Sequence, residues 1–207
     1  MKLLRLGFTD TITGVENFFT AILSKRFDIV RDDRNPDYLI FGDRNFGNNN
    51  INYDNKKCVK IFYTGENQRP WDYYCHYALS FEHLDNECFY RFPLYIIYNH
   101  EHSLYENRVR DEASLNANKG FCSFVVRNGH CNRRNHWFDK LNQYKQVASG
   151  GPLFNNIGGT IGNTVAEKVQ FLNQFKFNLC FENSSYPGYA TEKLFEALCA
   201  QTIPIYW

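Results

Sequence analysis

An excess of positive charge is missing from this 207-residue sequence, which carries 23 Lys and Arg against 22 Asp and Glu. A domain that binds nucleic acid normally shows a basic excess along one face, so this balance argues against a nucleic-acid partner. Long apolar runs are missing too: no segment approaches the roughly 18 to 20 apolar residues of a membrane span, and the start has no signal-peptide core. The sequence therefore predicts a cytoplasmic protein.

Cysteine pairs are also absent, and the H-x-H at His100 and His102 lacks a third metal ligand. The seven cysteines are odd in number, widely scattered and without a C-x-x-C pair, which is typical of buried thiols in a reducing compartment. The glycine-rich stretch SGGPLFNNIGGTIG matches neither a Walker loop nor G-x-G-x-x-G, and no D-x-D motif argues for a metal. Aromatic residues are plentiful at 17%, which suits surfaces that stack on sugars or nucleobases.

Short apolar runs and helical patterns follow one another along most of the chain. The first part holds strand-like runs, among them FDIV, YLIFGD, YALSF and RFPLYIIY, and one amphipathic segment near residues 16–24. From Gly120 onward, the runs FCSFVV, QVAS, FNLCFE and TIPIYW are separated by helices of roughly ten residues. This order predicts βαβ crossovers and a parallel sheet, so we expect an α/β protein with a Rossmann-like second half.

A polar stretch without periodicity, residues 99–119, separates the two halves. We predict an N-terminal α/β domain with its linker over residues 1–119 and a second domain over residues 120–207. The chain stops at the end of a strand, whereas a doubly wound domain normally needs roughly another 60 to 100 residues. We therefore expect an incomplete second domain in a fragment of a longer protein, unless a partner chain or the first domain covers that surface.

Polar residues gather where the strand FNLCFE leads into a helix. Glu182 and Asn183 end the strand, and an acid at the carboxyl end of a central parallel strand stands at the ligand edge of the sheet. Thr191 is a good N-cap for the helix. Lys193, in the first turn, is a cation where carboxylates are preferred, which indicates a phosphate ligand. Glu192 fits either a helix-start acid or a partner for sugar hydroxyls.

Two further loops carry charged residues. Arg127, Arg133 and Arg134 follow the strand FCSFVV, and guanidinium forks suit a diphosphate, although a solvated basic loop is the alternative for at least one of them. Glu66 follows the strand-like run IFYTGE in the first domain. A carboxylate at that position is either a general base for a substrate hydroxyl or a turn residue.

Together these segments resemble one enzyme family. The stretch FNLCFENSSYPGYATEKLFEALCAQTIPIYW is similar to the signature of the α-1,3/4-fucosyltransferases, inverting enzymes that use GDP-fucose. FYTGEN, RFPLY and GFCSFVV with RRN behind it also look like that family, in the same order. The resemblance covers about residues 58–207 and is strongest to the bacterial members. It implies a two-domain GT-B architecture, with the acceptor held by the first domain and the nucleotide sugar by the second.

The resemblance implies a role for each candidate residue. Glu66 would be the general base, while Arg134 and Lys193 would hold the diphosphate. Glu192 would bond the donor ribose, and Tyr189 would line the donor pocket.

Two details complete the expected donor site. Glu182 and Asn183 are assigned to donor binding with the residues above. Arg134 is preferred to Arg133 because its spacing to Asn135 and to FDKL matches the family better.

The implied reaction transfers L-fucose from GDP-fucose to a glycan containing N-acetylglucosamine, in α-1,3 or α-1,4 linkage and with inversion. No metal or other cofactor is expected, since arginine and lysine would take the part of a divalent ion. We expect a cytoplasmic enzyme and leave peripheral association of the full-length protein with the inner membrane open, although heptad repeats and a basic amphipathic tail are absent.

Two alternatives remain: a truncated, non-catalytic fragment that binds glycan or nucleotide, and a GT-B transferase that uses another nucleotide sugar.

Overall fold

A computed structural model describes residues 1–102 and 119–207. The chain divides into two compact units: the first is Met1–Glu101 with the short segment Tyr186–Tyr189, and the second is the remainder up to Trp207. Each unit contains one parallel sheet, with six strands described in the first and four in the second.

The first unit is an α/β structure built on its six-stranded sheet. Its strands are β1 (Lys2–Thr9), β2 (Phe27–Arg31), β3 (Tyr38–Phe41), β4 (Val59–Tyr63), β5 (Tyr77–Ser80) and β6 (Phe89–Arg91). Its described helices are α1 (Thr13–Leu23), α2 (Tyr95–His102) and two short 3-10 helices (Asn48–Tyr53, Pro70–Asp72). The strand order is β2-β1-β3-β4-β5-β6, so the loops after β1, β3 and β4 lie at one edge of the sheet.

The core of the first unit forms between this sheet and α1. Val15, Phe18 and Phe19 recur at helical spacing and are all buried, which gives α1 one apolar face. That face belongs to the same buried cluster as Leu6 of β1 and Ile40 of β3. The amphipathic segment predicted from the sequence is therefore confirmed as a helix.

The sequence pattern predicted that RFPLYIIY forms a strand, and this prediction is wrong. β6 ends at Arg91, and α2 begins at Tyr95. Pro93 has no N–H to offer a strand ladder, and its carbonyl accepts the N–H of Ile96 at 3.0 Å in the turn that opens the helix. Ile97 then packs into the core at 2% exposure, so the apolar residues serve a helical face.

The second unit alternates strands and helices as predicted. In chain order they are β7 (Gly120–Phe124), α3 (Asn132–Tyr144), β8 (Val147–Ser149), α4 (Val165–Leu172), β9 (Phe175–Leu179), α5 (Glu192–Cys199) and β10 (Ile203–Ile205). The strand order is β10-β9-β7-β8, with every neighbouring pair parallel. β9 ends three residues before the predicted Glu182, so the polar loop after it begins earlier than the pattern indicated.

Helix α4 is fixed by a capping box at its start and by an ion pair to the helix that follows β9. The N–H of Glu167 donates to the Thr164 hydroxyl at 3.2 Å, and the N–H of Thr164 donates to the Glu167 carboxylate at 3.0 Å. The Thr164 hydroxyl also donates to the Glu167 carboxylate at 2.6 Å, and this bond, together with that from the Thr164 N–H, lowers the pKa of Glu167. Further along α4, Lys168 forms an ion pair with Glu196 of α5, whose side chain is buried. Burial raises the pKa of Glu196, although Lys168 opposes the rise.

The predicted linker is covered only in part. Its residues 99–102 continue α2, while residues 103–118 lie outside the described residues, so the predicted domain limits stay a prediction. None of the described helices is long and apolar enough to span a bilayer.

All seven cysteines lie in the described part of the chain and none forms a disulfide. Five are buried (Cys58, Cys122, Cys131, Cys180, Cys199), as the sequence indicated. Cys75 is only partly buried and Cys88 is exposed, so the prediction of a buried thiol is wrong for Cys88. Burial raises the pKa of Cys122 to about 11 and that of Cys180 to about 12.

We expect Cys88 to be the first of these thiols to react with iodoacetamide under native conditions. The thiolate is the reactive form, so burial and the raised pKa protect Cys122 and Cys180. Peptide mapping after graded alkylation measures the order, and Cys88→Ser should remove the fast phase. Early labelling of Cys122 in folded protein would contradict the packing described here.

Candidate functional site

A polar loop follows β4 at the carboxyl edge of the first sheet. The backbone N–H of Glu66 donates to the Thr64 hydroxyl oxygen at 3.0 Å, and that hydroxyl donates to the Asp43 carboxylate at 2.5 Å. Because the buried Thr64 makes both bonds, it fixes the backbone at Glu66 and joins the loops after β3 and β4. Burial raises the pKa of Asp43, and the bond from Thr64 partly offsets the rise.

A pocket of about 320 Å³ opens beside this loop within the first unit. The acids Asp10, Asp43 and Glu66 line it, together with two tyrosines and several apolar residues (Tyr63, Tyr98, Ile12, Val15, Leu94). Carboxylates accept hydrogen bonds from hydroxyls, and aromatic rings provide flat apolar surface. The pocket therefore suits a ligand rich in hydroxyl groups, such as a sugar.

A tight turn brings Tyr189 to the Glu66 loop. The Tyr189 hydroxyl oxygen lies 3.4 Å from Oε2 of Glu66, at hydrogen-bond distance. The turn closes where the N–H of Tyr189 donates to the carbonyl of Tyr186 at 3.0 Å. Gly188 has a φ of +84°, and a Cβ there would lie 2.8 Å from the carbonyl oxygen of Phe81. Only glycine fits this position without strain, so the turn depends on it.

Glu182 is the centre of a polar cluster in the second unit. Its carboxylate accepts hydrogen bonds from the N–H and the hydroxyl of Thr191, at 2.8 and 2.7 Å. It also accepts from the hydroxyl of Tyr206 at 3.0 Å and from Nζ of Lys193 at 3.3 Å. Glu182 is 1% exposed, and these donors offset the cost of burying its charge. Burial and the negative charge of Glu182 raise the pKa of Tyr206, which keeps the phenol a donor.

Lys193 lies between two carboxylates at the start of α5. Its ammonium is 3.3 Å from Glu182 and 3.3 Å from Glu192. Burial alone would lower the pKa of Lys193, but Glu192 and Glu182 raise it above its usual range. Burial likewise opposes ionisation of Glu192, yet Lys193 and Lys168 lower its pKa overall. The start of α5 therefore carries a lysine that stays protonated and whose charge is balanced by carboxylates of the protein.

Thr191 occupies the N-cap position of α5, as the sequence predicted. Its side chain does not bond a helix N–H. The hydroxyl donates to Glu182 instead, so this residue links the helix start to the strand end.

The two neighbouring arginines of α3 have different surroundings. Arg134 is 1% exposed and donates to the carbonyls of Asn128 and Phe181, at 2.5 and 3.4 Å. Arg133 is exposed, with its guanidinium 3.9 Å from the ring centroid of Trp207. Arg134 thus fixes the backbone next to Glu182, while Arg133 lies on the surface.

Comparisons with known proteins match both halves of the chain. Residues 5–98 match the family profile of the N-terminal domain of α-(1,3)-fucosyltransferase FucT, and residues 115–207 match that of the C-terminal part of glycosyltransferase family 10 (fucosyltransferase). The chain is 36% identical over 225 residues to the α-(1,3)-fucosyltransferase FucT of Helicobacter pylori, an alignment that covers 90% of this chain and 45% of that protein. The chain belongs to the family 10 fucosyltransferases.

Solved structures of fucosyltransferases have the same fold as this chain. One crystal structure of an α1,3-fucosyltransferase matches with a TM-score of 0.81 and 29% identity, covering 100% of this chain and 69% of that one. A second, with GDP-fucose, matches with a TM-score of 0.79 and 28% identity over the same shares. The α/β fold of the GT-B type is therefore confirmed. The chain spans less than half the length of the Helicobacter pylori relative.

In this fucosyltransferase chain the predicted site residues fall into separate groups. Glu66 and Tyr189 meet within the first unit. Glu182, Glu192 and Lys193 meet within the second. Two others lie beside the second group: Asn183, which follows Glu182 and is half-buried, and Arg134, which donates to the carbonyl of Phe181. The roles of all seven in donor binding or catalysis stay predictions.

Two residues of these clusters were missed from the sequence. Asp43 follows a strand in YLIFGD, which is the signal that marked Glu182, so it could have been found. Tyr206 lies in an apolar run with no such signal. Among the described residues, no group of three or more His, Cys, Asp or Glu side chains could hold a metal ion.

We expect Glu182→Gln to destabilise the fucosyltransferase by about 2–4 kcal/mol, because a buried carboxylate with four donors loses its charge. Glu192→Gln is the matched control and should cost less, since it leaves the bonds of Thr191 and Tyr206 to Glu182 intact. Urea denaturation at neutral pH measures both variants. An unchanged midpoint for Glu182→Gln would show that the cluster contributes little to stability.

Proposed function

We propose that the protein containing this chain transfers L-fucose from GDP-fucose to a hydroxyl of a glycan that contains N-acetylglucosamine. The linkage is α-1,3 or α-1,4, and the anomeric centre inverts. The observation that carries the proposal is the 36% identity to an α-(1,3)-fucosyltransferase over 90% of the chain. The match to an α1,3-fucosyltransferase with GDP-fucose supports the donor. We assign the reaction to the cytoplasm and leave peripheral association of the full-length protein with the inner membrane open.

Glu66 is the general base of the proposed reaction. The acceptor oxygen bonds to C1 of fucose, its proton passes to the Glu66 carboxylate, and the C1–O bond to the diphosphate breaks with its electron pair leaving on GDP. The pocket lined by Glu66 supports this role, since an acceptor sugar has room beside the carboxylate. A well-placed general base typically raises the reaction rate by about 10²- to 10⁴-fold.

The acceptor pocket also holds carboxylates that need not take part in the chemistry. Asp10 and Asp43 line the same cavity as Glu66. In the proposal Asp43 accepts a hydrogen bond from a neighbouring hydroxyl of the acceptor and orients the one that reacts, while Asp10, whose carboxylate accepts from Asn45 and Asn49, fixes the pocket wall. The acceptor glycan is thereby held by the first unit.

Positive groups of the second unit stabilise the leaving GDP. Lys193 and Arg134 hold the diphosphate, and Glu192 bonds the ribose. The raised pKa of Lys193 supports its part, because the ammonium stays charged at neutral pH and above. Arg134 is the more enclosed of the two, and its bonds to backbone carbonyls support an orienting role as well.

The remaining donor residues act around these charges. Glu182 orients Lys193 through the contact at 3.3 Å, and Asn183 adds a polar side chain directly after it. Tyr189 lines the donor pocket in the proposal and also reaches Glu66 with its hydroxyl.

We expect Glu66→Gln to lower transfer by about 100-fold or more while GDP-fucose binding is kept, because the amide cannot accept the proton. Glu87→Gln changes an exposed acid of the same unit and is the matched control. Transfer to an N-acetylglucosamine acceptor and donor titration, both on the full-length protein, measure the two steps. Near-normal transfer by Glu66→Gln would remove Glu66 from the mechanism.

The proposed reaction uses no metal, so transfer should persist in excess EDTA. Arginine and lysine take the electrostatic part that a divalent ion plays in other transferases. The rate is measured before and after EDTA treatment and again after addition of Mg²⁺ or Mn²⁺. Loss of activity that either ion restores would overturn the metal-free mechanism.

A further inference from the structure

Arg69 contacts both the loop that carries the base and the turn that carries Tyr189. Its guanidinium lies 3.5 Å from the ring centroid of Tyr186, at the start of the turn. On the other side, Nη2 donates to the side-chain oxygen of Asn67 at 2.5 Å, next to Glu66 in the chain. One side chain of the first unit therefore contacts the residue after Glu66 and the residue three before Tyr189, and Glu66 and Tyr189 share the hydrogen bond.

A buried acid fixes the guanidinium in this position. Glu82 is 7% exposed, and its carboxylate forms an ion pair with Nη1 of Arg69 at 3.0 Å. The Arg69 side chain is itself 16% exposed. A planar guanidinium that pairs at one edge and stacks on a ring has few alternative positions. The ammonium of a lysine could not make the same paired and stacked contacts.

The turn is held at further points, so that its own position is defined. The ring of Phe81 contacts those of Tyr186 and Tyr189, with centroids 6.0 and 5.0 Å apart. Arg91 donates to the carbonyl of Gly188 at 3.0 Å and also to that of Phe81. The Arg69 stack is one contact that ties this packed turn to the base loop, beside the bond from Tyr189 to Glu66.

We propose that Arg69 is a positioning residue for fucosyl transfer, which locks the Glu66 loop to the Tyr186–Tyr189 turn so that the Tyr189 hydroxyl stays on the carboxylate. This rests on the proposed function of Glu66 as the base. A donor on one carboxylate oxygen restricts rotation of the whole group and so keeps it aimed at the acceptor hydroxyl. Misplacement of a reacting group by about 1 Å can cost about 100-fold in rate, so such alignment has a measurable effect.

The first test separates the stack from the charge. Arg69→Ala, Arg69→Lys and Tyr186→Leu should each lower kcat by about 10- to 100-fold, with KM for GDP-fucose within about threefold of the parent. Tyr186→Phe keeps the ring face and should retain normal kcat. Tyr186 is 38% exposed, so its variants should fold even if Arg69→Ala does not. A normal kcat for Tyr186→Leu, or a loss expressed only in KM, overturns the proposal.

The second test asks whether Arg69 acts through Tyr189. Tyr189→Phe should lower kcat in the same range, and the double variant Tyr186→Leu/Tyr189→Phe should be no worse than the poorer single variant. Multiplying losses would mean that the residues act independently and would overturn the proposal. Thermal melting of each variant checks that the loss is not unfolding.

Glu66→Gln in the same assay distinguishes the two levels of the argument. If Glu66→Gln is inactive while the Tyr186 and Arg69 variants are normal, only the positioning role fails. If Glu66→Gln retains transfer, the proposed base fails, and the positioning role fails with it.

Discussion

Parallel strand pairing decides which polar side chains can meet in this protein. Phe41 of β3 pairs with Phe62 of β4, so the residues that follow them, Asp43 and Thr64, stand side by side where both strands end. Their hydrogen bond of 2.5 Å is a direct consequence of that register. In the second unit, Leu179 pairs with Ile205, and the chains beyond these residues bring Glu182 and Tyr206 together.

Buried charges add a second constraint, because an ion removed from water needs partners in fixed positions. Glu182 and Glu196 are both 1% exposed, and each meets a lysine. Arg134 is equally enclosed and bonds to backbone carbonyls. Such groups cost several kcal/mol when a partner is lost, so they specify one arrangement of the surrounding loops. The second unit thereby fixes the loops around these groups by charge pairing as well as by apolar packing.

Much of the fold could be predicted because its signals are local. The Thr-x-x-Glu box at Thr164 marks the start of α4, and the regular alternation after Gly120 indicates parallel crossovers. Acids at strand ends, Glu66 and Glu182, could be picked out for the same reason. The run RFPLYIIY misled the prediction because a short apolar run has no clear period, and only Pro93 hinted at the break.

Contacts between distant parts of the chain were beyond the reach of the sequence. Nothing local in NQRPW shows that Arg69 stacks on Tyr186, since the ring arrives from far along the chain. The exposure of Cys88 depended likewise on how β6 packs, because its apolar neighbours suggested burial. The carbonyl contacts of Arg134 could be seen only once α3 and the end of β9 were placed together.

The ammonium of Lys193 is already neutralised by Glu182 and Glu192 before any ligand arrives. Lys193 is therefore a cation with two counter-ions supplied by the protein. In the proposed reaction, a diphosphate that approaches Lys193 would exchange places with carboxylates rather than with water alone, so the gain in electrostatic energy would be the difference between two ion pairs. When the nucleotide departed, Glu182 and Glu192 would pair with the ammonium again. Under that proposal, the same residue would favour charge separation without holding the spent nucleotide, which is what repeated turnover requires.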